Sequence, residues 1–310
     1  MKNICELLKI KYPIIAGGMA NISDGKFAAS VSNAGGLGLI ASGGNDGEWM
    51  RQQIKIAKSL TNQPFGVNIM LMSPFAAEIA KVVIEEKVKV VTTGAGSPGI
   101  YMKDWLEAGV IVIPVVPSVA LAKRVQNFGA SAVIVEGTEA GGHIGELTTM
   151  AFVPQAVDAL DIPVIAAGGI GDARGVLAAF ALGAKGVQAG TIFLASVECP
   201  VHQNYKEKVV AARDIDTVVT GRQNNAAVRV LKNPMALHYL KAVKDDRPLL
   251  ELEQLTLGSL RKAVVDGDLE NGSFMAGQIA GLVSEIKPVK QIIEDLFKDI
   301  DKLKKSIEVL

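Results

Sequence analysis

Cysteine is nearly missing from this chain of 310 residues, which holds only Cys5 and Cys199. A disulfide framework is thereby excluded, a reducing compartment is expected, and both thiols read as packing groups. A surplus of charge is missing as well. Lys and Arg number 32 and Asp and Glu 32, which excludes a polyanion binder as a whole and leaves room only for a local basic patch; no nucleic-acid partner is expected. No stretch approaches the roughly 18 uncharged apolar residues of a membrane span. The opening MKNICELLKIKYP carries charges through its apolar stretch, where a signal peptide needs about 7 to 15 apolar residues. A cytoplasmic protein with no membrane partner is expected. Histidine is scarce too, with His143, His202 and His238 alone. Neither a second His nor a Cys lies at ligand spacing from His143, so no metal site is expected.

What the chain does have is apolar residues (49%), moderate charge (21%), a mean hydropathy of +0.30 and 32 glycines. Eight short apolar runs recur: PIIAGG (13–18), LGLIAS (37–42), FGVNIM (65–70), VVTTGA (90–95), VIVIPVV (110–116), AVIVEG (132–137), PVIAAGG (163–169) and GVQAGT (186–191). Continuous runs of this kind are strands buried on both faces. Between them lie helical patterns, most opened by a capping residue or by Pro in the first turn, as in DGKFAASVSNA, DGEWMRQQIKIAKSL, PFAAEIAKVVIEE, SVALAKRVQNFG and DARGVLAAFALG. Eight βα units within the first part of the chain predict an α/β fold of the (β/α)8 TIM-barrel class. The stretch 201–272 shows helical segments without a strand series, so a small helical subdomain is expected there, the barrel taking 1–200 and 273–310. Within 201–250, nine basic residues (Lys206, Lys208, Arg213, Arg222, Arg229, Lys232, Lys241, Lys244, Arg247) face five acidic ones. From Pro288 onward Ile293, Leu296, Ile300, Leu303, Ile307 and Leu310 recur at helical spacing, predicting one amphipathic closing helix that serves the core or a homodimer contact.

Barrel chemistry gathers where strands end at their C-terminal side. That rule selects Gly17, Gly18 and Met19, then Asn68, Thr93 and Gly94, the loop Glu136 to Gly145 with Gly141, Gly142 and His143, and the pairs Gly168–Gly169 and Gln188 to Thr191 with Gly190. The glycine-rich loops AAGGIGDA and QAGT suit a phosphate held by backbone N–H groups, aided by the positive end of the helix that begins near Asp172; the alternative is that these glycines only permit tight turns. His143, between glycines at a strand end, suits a hydrogen bond to a substrate carbonyl or proton donation near neutral pH, or else it props the loop. Gly94, Gly96 and Gly99 match a dinucleotide fingerprint in spacing, but no carboxylate follows about 20 residues on, and they read as a barrel loop.

Beyond these readings, the segments YPIIAGGMA (12–20), NAGGLGLI (33–40), PFGVNIMLMSPF (64–75), VVTTGAGSP (90–98), EGTEAGGHIG (136–145), PVIAAGGIGD (163–172), GVQAGTIF (186–193) and SFMAGQIAGLV (273–283) resemble the flavin-dependent enoyl-acyl-carrier-protein reductase II family. That family lies within the larger nitronate monooxygenase (2-nitropropane dioxygenase) group. EAGGH is shared across the group; VTTGAGSP and SFMAGQIAGLV resemble the reductase branch.

The resemblance implies non-covalent FMN, NADH or NADPH as electron donor, and a trans-2-enoyl thioester on acyl carrier protein as acceptor. It places the FMN phosphate on Gly168, Gly169, Gly190 and Thr191, and the ring over Gly17 to Met19 near Asn68 and Gln188, with Glu136, Gly141 and Gly142 in the same cofactor set. His143 matches the catalytic histidine. A monovalent-cation response is implied by the resemblance alone. Phe274 and Met275 are candidate substrate-lining residues, with core packing as the alternative. A nitronate monooxygenase and a flavin-free phosphate-binding barrel are the competing functions.

Overall fold

The computed structural model describes residues 3–224 and 226–307. The apolar runs form strands β1 (Ile14–Ala16), β2 (Gly38–Ala41), β3 (Phe65–Met70), β4 (Val90–Gly94), β5 (Ile111–Val116) and β6 (Val133–Glu136); after a two-residue strand, β7 (Gly142–His143), come β8 (Val164–Ala167) and β9 (Gly186–Ala189). All but β7 pair side by side in the order β1-β9-β8-β6-β5-β4-β3-β2. The two edges then meet. Ala16 N–H donates to the Leu37 carbonyl and Leu37 N–H to the Ile14 carbonyl, both at 2.9 Å, and the sheet closes into the expected (β/α)8 barrel.

Side chains alternate in and out along each strand. Ile15, Leu39, Val90, Ile113, Ile134 and Ile165 pack together inside, while Ile14, Val133, Val135 and Val187 face helices on one side of the barrel and Ile40, Val67 and Val91 on the other. Ile4 and Leu8 of the first helix, Ile4–Leu8, join the inner cluster and plug its N-terminal end. The sequence caps work as read: Asp24, Asp46, Ser118 and Asp172 each accept a backbone N–H of the helix that follows, which satisfies donors that the first turn leaves open.

Two expectations need correction. The stretch 201–272 is not purely helical. Beside helices Gln203–Val210, Pro234–Lys244 and Leu249–Thr256 it holds an antiparallel pair, β10 (Thr217–Thr220) and β11 (Val228–Leu231). β11 also pairs with β7, Val228 opposite His143 and Arg229 opposite Gly142. β10 and β11 are only four residues each, and β11 also depends on β7, a partner far away in sequence that local periodicity does not register. The C-terminal segment is two helices, Val289–Phe297 and Ile300–Ile307. Lys298 keeps right-handed backbone angles, so the apolar spacing runs on across the break. Ile293 and Leu296 are buried, Ile300 and Leu303 partly so, and Ile307 is exposed; Leu310 lies outside the described residues.

Candidate active site

The inward alternation continues upward from the apolar layer and turns polar. Asn68, Thr92, Glu136 and Gln188 each stand two residues beyond an inward position, in a register that sets Asn68 beside Thr92 and places Ala167 between Glu136 and Gln188. Thr92 Oγ1 donates to Asn68 Oδ1 at 2.9 Å, which turns the Asn68 amide nitrogen away from Thr92 and leaves it free to donate. Gln188 is 6% exposed. Among the described residues neither its amide nor the Glu136 carboxyl has a protein hydrogen-bond partner. Glu136 is half-buried, and desolvation alone pushes its carboxyl up to about 7, because charge is costly where protein displaces water. Polar tips left unpartnered above an apolar floor call for a polar ligand.

The β1 end lies against this layer. Gly17 N–H donates to the Ala189 carbonyl at 2.8 Å. A Cβ on Gly18 would fall 2.4 Å from Asn68 Cγ, so only glycine lets the backbone pass so close. Met19 has its sulfur beside Gly190.

The loop after β6 is held from three sides. Both Glu139 carboxylate oxygens accept the Thr149 N–H, at 2.9 and 3.0 Å, and Thr149 Oγ1 lies 2.9 Å from the Gly168 carbonyl. Arg229 is 7% exposed, and its Nε donates to the Thr138 carbonyl at 3.1 Å while one terminal nitrogen donates to Thr217 Oγ1. Gln278 N–H donates to the Glu139 carbonyl at 2.9 Å and Gly277 N–H to Thr191 Oγ1 at 2.8 Å. Gly141 packs on Ala276 and Gly277, and Gly142 on the Met275 sulfur. His143 therefore stands on a braced strand, not on a loose loop. Its ring reaches solvent, yet the surrounding protein desolvates the cation and holds its pKa below the ordinary histidine value, favouring neutral imidazole at neutral pH.

The β8 and β9 loops carry the candidate anion site. Among the described residues, no protein acceptor takes the backbone N–H groups of Gly168, Gly169, Ile170, Gly190 or Thr191. The helix beginning at Ala173 does not serve as expected. Asp172 Oδ1 already accepts the N–H groups of Arg174 and Gly175, and Arg174 pairs with the same carboxylate. With those two first-turn N–H groups already taken, the loop amides must do most of the work.

The structure thus brings Gly17, Gly18, Met19, Asn68, Glu136, Gly141, Gly142, His143, Gly168, Gly169, Gln188, Gly190, Thr191 and Met275 to one end of the barrel. Phe274 is apart from them, fully buried with its ring 4.8 Å from that of Tyr205. Thr93, selected only by its strand end, is buried with Oγ1 unpartnered. Sequence reasoning missed Glu139, Thr149 and Arg229. Glu139 sits inside a segment already singled out and was open to notice; nothing in the sequence links Thr149 or Arg229 to it. A cleft of about 380 Å³ lined by Leu8, Phe65 and Lys89 lies at the other end of the barrel, the face that carries stability in such folds. No helix among the described residues is long and apolar enough to cross a membrane.

Comparison with known proteins gives a consistent result. The nitronate monooxygenase family model matches residues 2–84 and 80–299. The solved structure of FabK from Thermotoga maritima is 51% identical, with a TM-score of 0.96 over 100% of this chain and 99% of that one. A protein named Probable nitronate monooxygenase from Staphylococcus saprophyticus is 32% identical over 97% of this chain and 98% of its own length. A (3aS,4S,5R,7aS)-5-hydroxy-7a-methyl-1-oxo-octahydro-1H-indene-4-carboxyl-CoA dehydrogenase from Rhodococcus jostii is 30% identical over 96% of this chain and 94% of its own length.

Proposed function

Since this chain belongs to the nitronate monooxygenase family, we propose that it is an FMN-dependent enoyl-acyl-carrier-protein reductase driven by NADH or NADPH. The observation that carries this choice within the family is the 51% identity, end to end, with FabK, which we read as a member of the reductase branch, against 32% with a protein named as a monooxygenase.

The residues present fit FMN. Five uncommitted amides at Gly168, Gly169, Ile170, Gly190 and Thr191 suit a phosphate dianion, and the tips of Asn68, Glu136 and Gln188 suit the polar edge of the ring. Held by these groups, FMN would supply the two-electron hydride chemistry that links the reduced nicotinamide to the enoyl thioester. This chain's residues do the rest. Gly17 to Met19 and the braced 139–143 loop frame the cleft, and Met275 closes it behind Gly142. His143 donates an N–H toward the thioester oxygen, where negative charge develops.

Anaerobic reduction by NADH, followed by mixing with crotonyl thioester or with an alkyl nitronate, tests the proposal. Bleaching by NADH and rapid return of the yellow colour with the enoyl thioester are expected. Reduction by nitronate instead of NADH would establish the monooxygenase reading, and protein lacking the yellow absorbance would establish the flavin-free one.

We place the acyl carrier protein on the basic face that follows the barrel. Two of its nine cations, Lys206 and Arg229, are buried, so the surface excess over the five acids falls to two. Lys241, Lys244 and Arg247, exposed at and just beyond the end of helix Pro234–Lys244, are the main docking charges. Raising salt from roughly 50 to 300 mM, which shortens the Debye length below about 10 Å, should slow reduction of carrier-bound substrate several-fold and spare a small thioester. Equal loss for both would remove this docking face. The cell compartment that suits these partners and two free thiols is the cytoplasm.

A further inference from the structure

Alternation along β6 aims the carboxyl of Glu136 into the barrel two residues above Ile134 of the apolar layer. Ala167 is its neighbour in register and Gln188 lies beyond, so a methyl group separates two long polar side chains and leaves space above β8. The other polar members of this layer, Asn68 and Thr92, are joined to each other. Titratable and charged groups on the adjoining rim segments are His143, Glu139, Glu146 and Arg229. Glu139 is engaged by Thr149 and Glu146 by Arg222, while Arg229 is turned toward Thr138 and Thr217. None of the four acts on Glu136, whose raised pKa comes from desolvation alone.

Glu136 is half-buried, and a carboxyl that the surrounding protein desolvates without giving it a partner is costly when charged, so its proton follows whatever charge appears beside it. Resting on the FMN reading above, we propose that Glu136 is a redox-linked proton site: it takes a proton from water when the cofactor at the barrel mouth gains electrons and returns it when they leave. The balance closes over one turnover. Hydride from the reduced nicotinamide brings two electrons and one proton, and a further proton from water settles on Glu136. Oxidation by the enoyl thioester then sends hydride to the β-carbon and a solvent-derived proton to the α-carbon, and the Glu136 proton goes back to water. The site holds charge near the ring constant without a lysine or arginine in this layer.

A redox titration of the FMN-loaded protein across pH 6 to 9 tests the proposal. An acid that titrates in the oxidised state near pH 7 makes the midpoint potential fall more steeply above that pH, whereas titration of the reduced ring itself flattens the line. The wild type should steepen by one proton per two electrons, a tenfold change in equilibrium constant per pH unit, or roughly 30 mV for a two-electron couple. Glu136→Gln should abolish the steepening, with Glu136→Ala as the substitute if that variant loses its flavin. A wild-type line that stays straight or flattens through pH 7 would overturn the proposal, and so would steepening that survives in either variant. A purified protein without bound flavin would overturn the FMN reading instead.

Discussion

His143→Ala should remain folded and yellow while its turnover of an enoyl thioester falls by about 10² to 10⁴, the usual contribution of one positioned proton-transfer or hydrogen-bonding group. The flavin spectrum should survive because the amides proposed to hold the phosphate belong to the loops after β8 and β9, not to β7. The brace behind His143 should survive as well. β7 pairs with β11 through backbone groups, and Ile144 N–H donates to the Ala227 carbonyl at 3.0 Å; none of these bonds involves the imidazole. The loss should fall on reoxidation of the reduced enzyme by substrate, measured in a single turnover, and not on reduction by nicotinamide. Desolvation by the surrounding protein lowers the His143 pKa although the ring reaches solvent, which favours a neutral imidazole that donates one N–H at neutral pH. As pH falls below that lowered value, the cation forms and the rate should change with a pKa under the ordinary histidine value. His143→Gln, which keeps a donor and cannot ionise, should recover part of the rate and erase that pH dependence. A His143→Ala enzyme with wild-type turnover would remove the residue from the mechanism.

The barrel was legible because its cause is local and repeated. Each barrel strand is mostly apolar on both faces, and capping residues such as Asp24 and Asp46 bond only three residues ahead. The strand-end rule found Asn68, Glu136 and Gln188 for the same reason: alternation and chain position set where they point. What escaped notice depends on partners distant in sequence. Val228 and Arg229 form a strand with support from Gly142 and His143, and Arg229 is buried because the Thr138 carbonyl and the Thr217 hydroxyl wait for it. A charge count over 201–250 treats Arg229 and Lys206 as surface cations, since neither composition nor periodicity reports burial of a single side chain. The misjudged helix at Ala173 has a different origin. Asp172 was visible as a cap, and a cap that is also an anion competes for the same amides as a phosphate.

Gly168→Ala should cost the protein most of its flavin. Gly168 has φ +86°, and a Cβ there would stand 2.8 Å from the Gly137 carbonyl oxygen and 3.2 Å from the Ala140 nitrogen. Both neighbours are backbone in the loop that Glu139 and Thr149 clamp, so neither yields easily. Forcing a non-glycine residue into that region costs roughly 1 to 3 kcal/mol, which corresponds to a cofactor affinity about 5- to 150-fold weaker if the strain is relieved by turning the Gly168 and Gly169 amides away from the phosphate. Gly169→Ala is the control. Its φ of +75° is similarly strained, but its Cβ would meet only Glu139 side-chain atoms at 3.5 Å or beyond, ordinary van der Waals contact. The order of flavin affinity, from fluorescence titration of stripped protein, should therefore be wild type, Gly169→Ala, then Gly168→Ala. Thermal unfolding of the stripped forms separates the two ways in which the strain can express itself. Equal melting temperatures with unequal affinities put the cost on the amide cradle, while a lowered melting temperature with intact affinity puts it on the fold and detaches Gly168 from the phosphate.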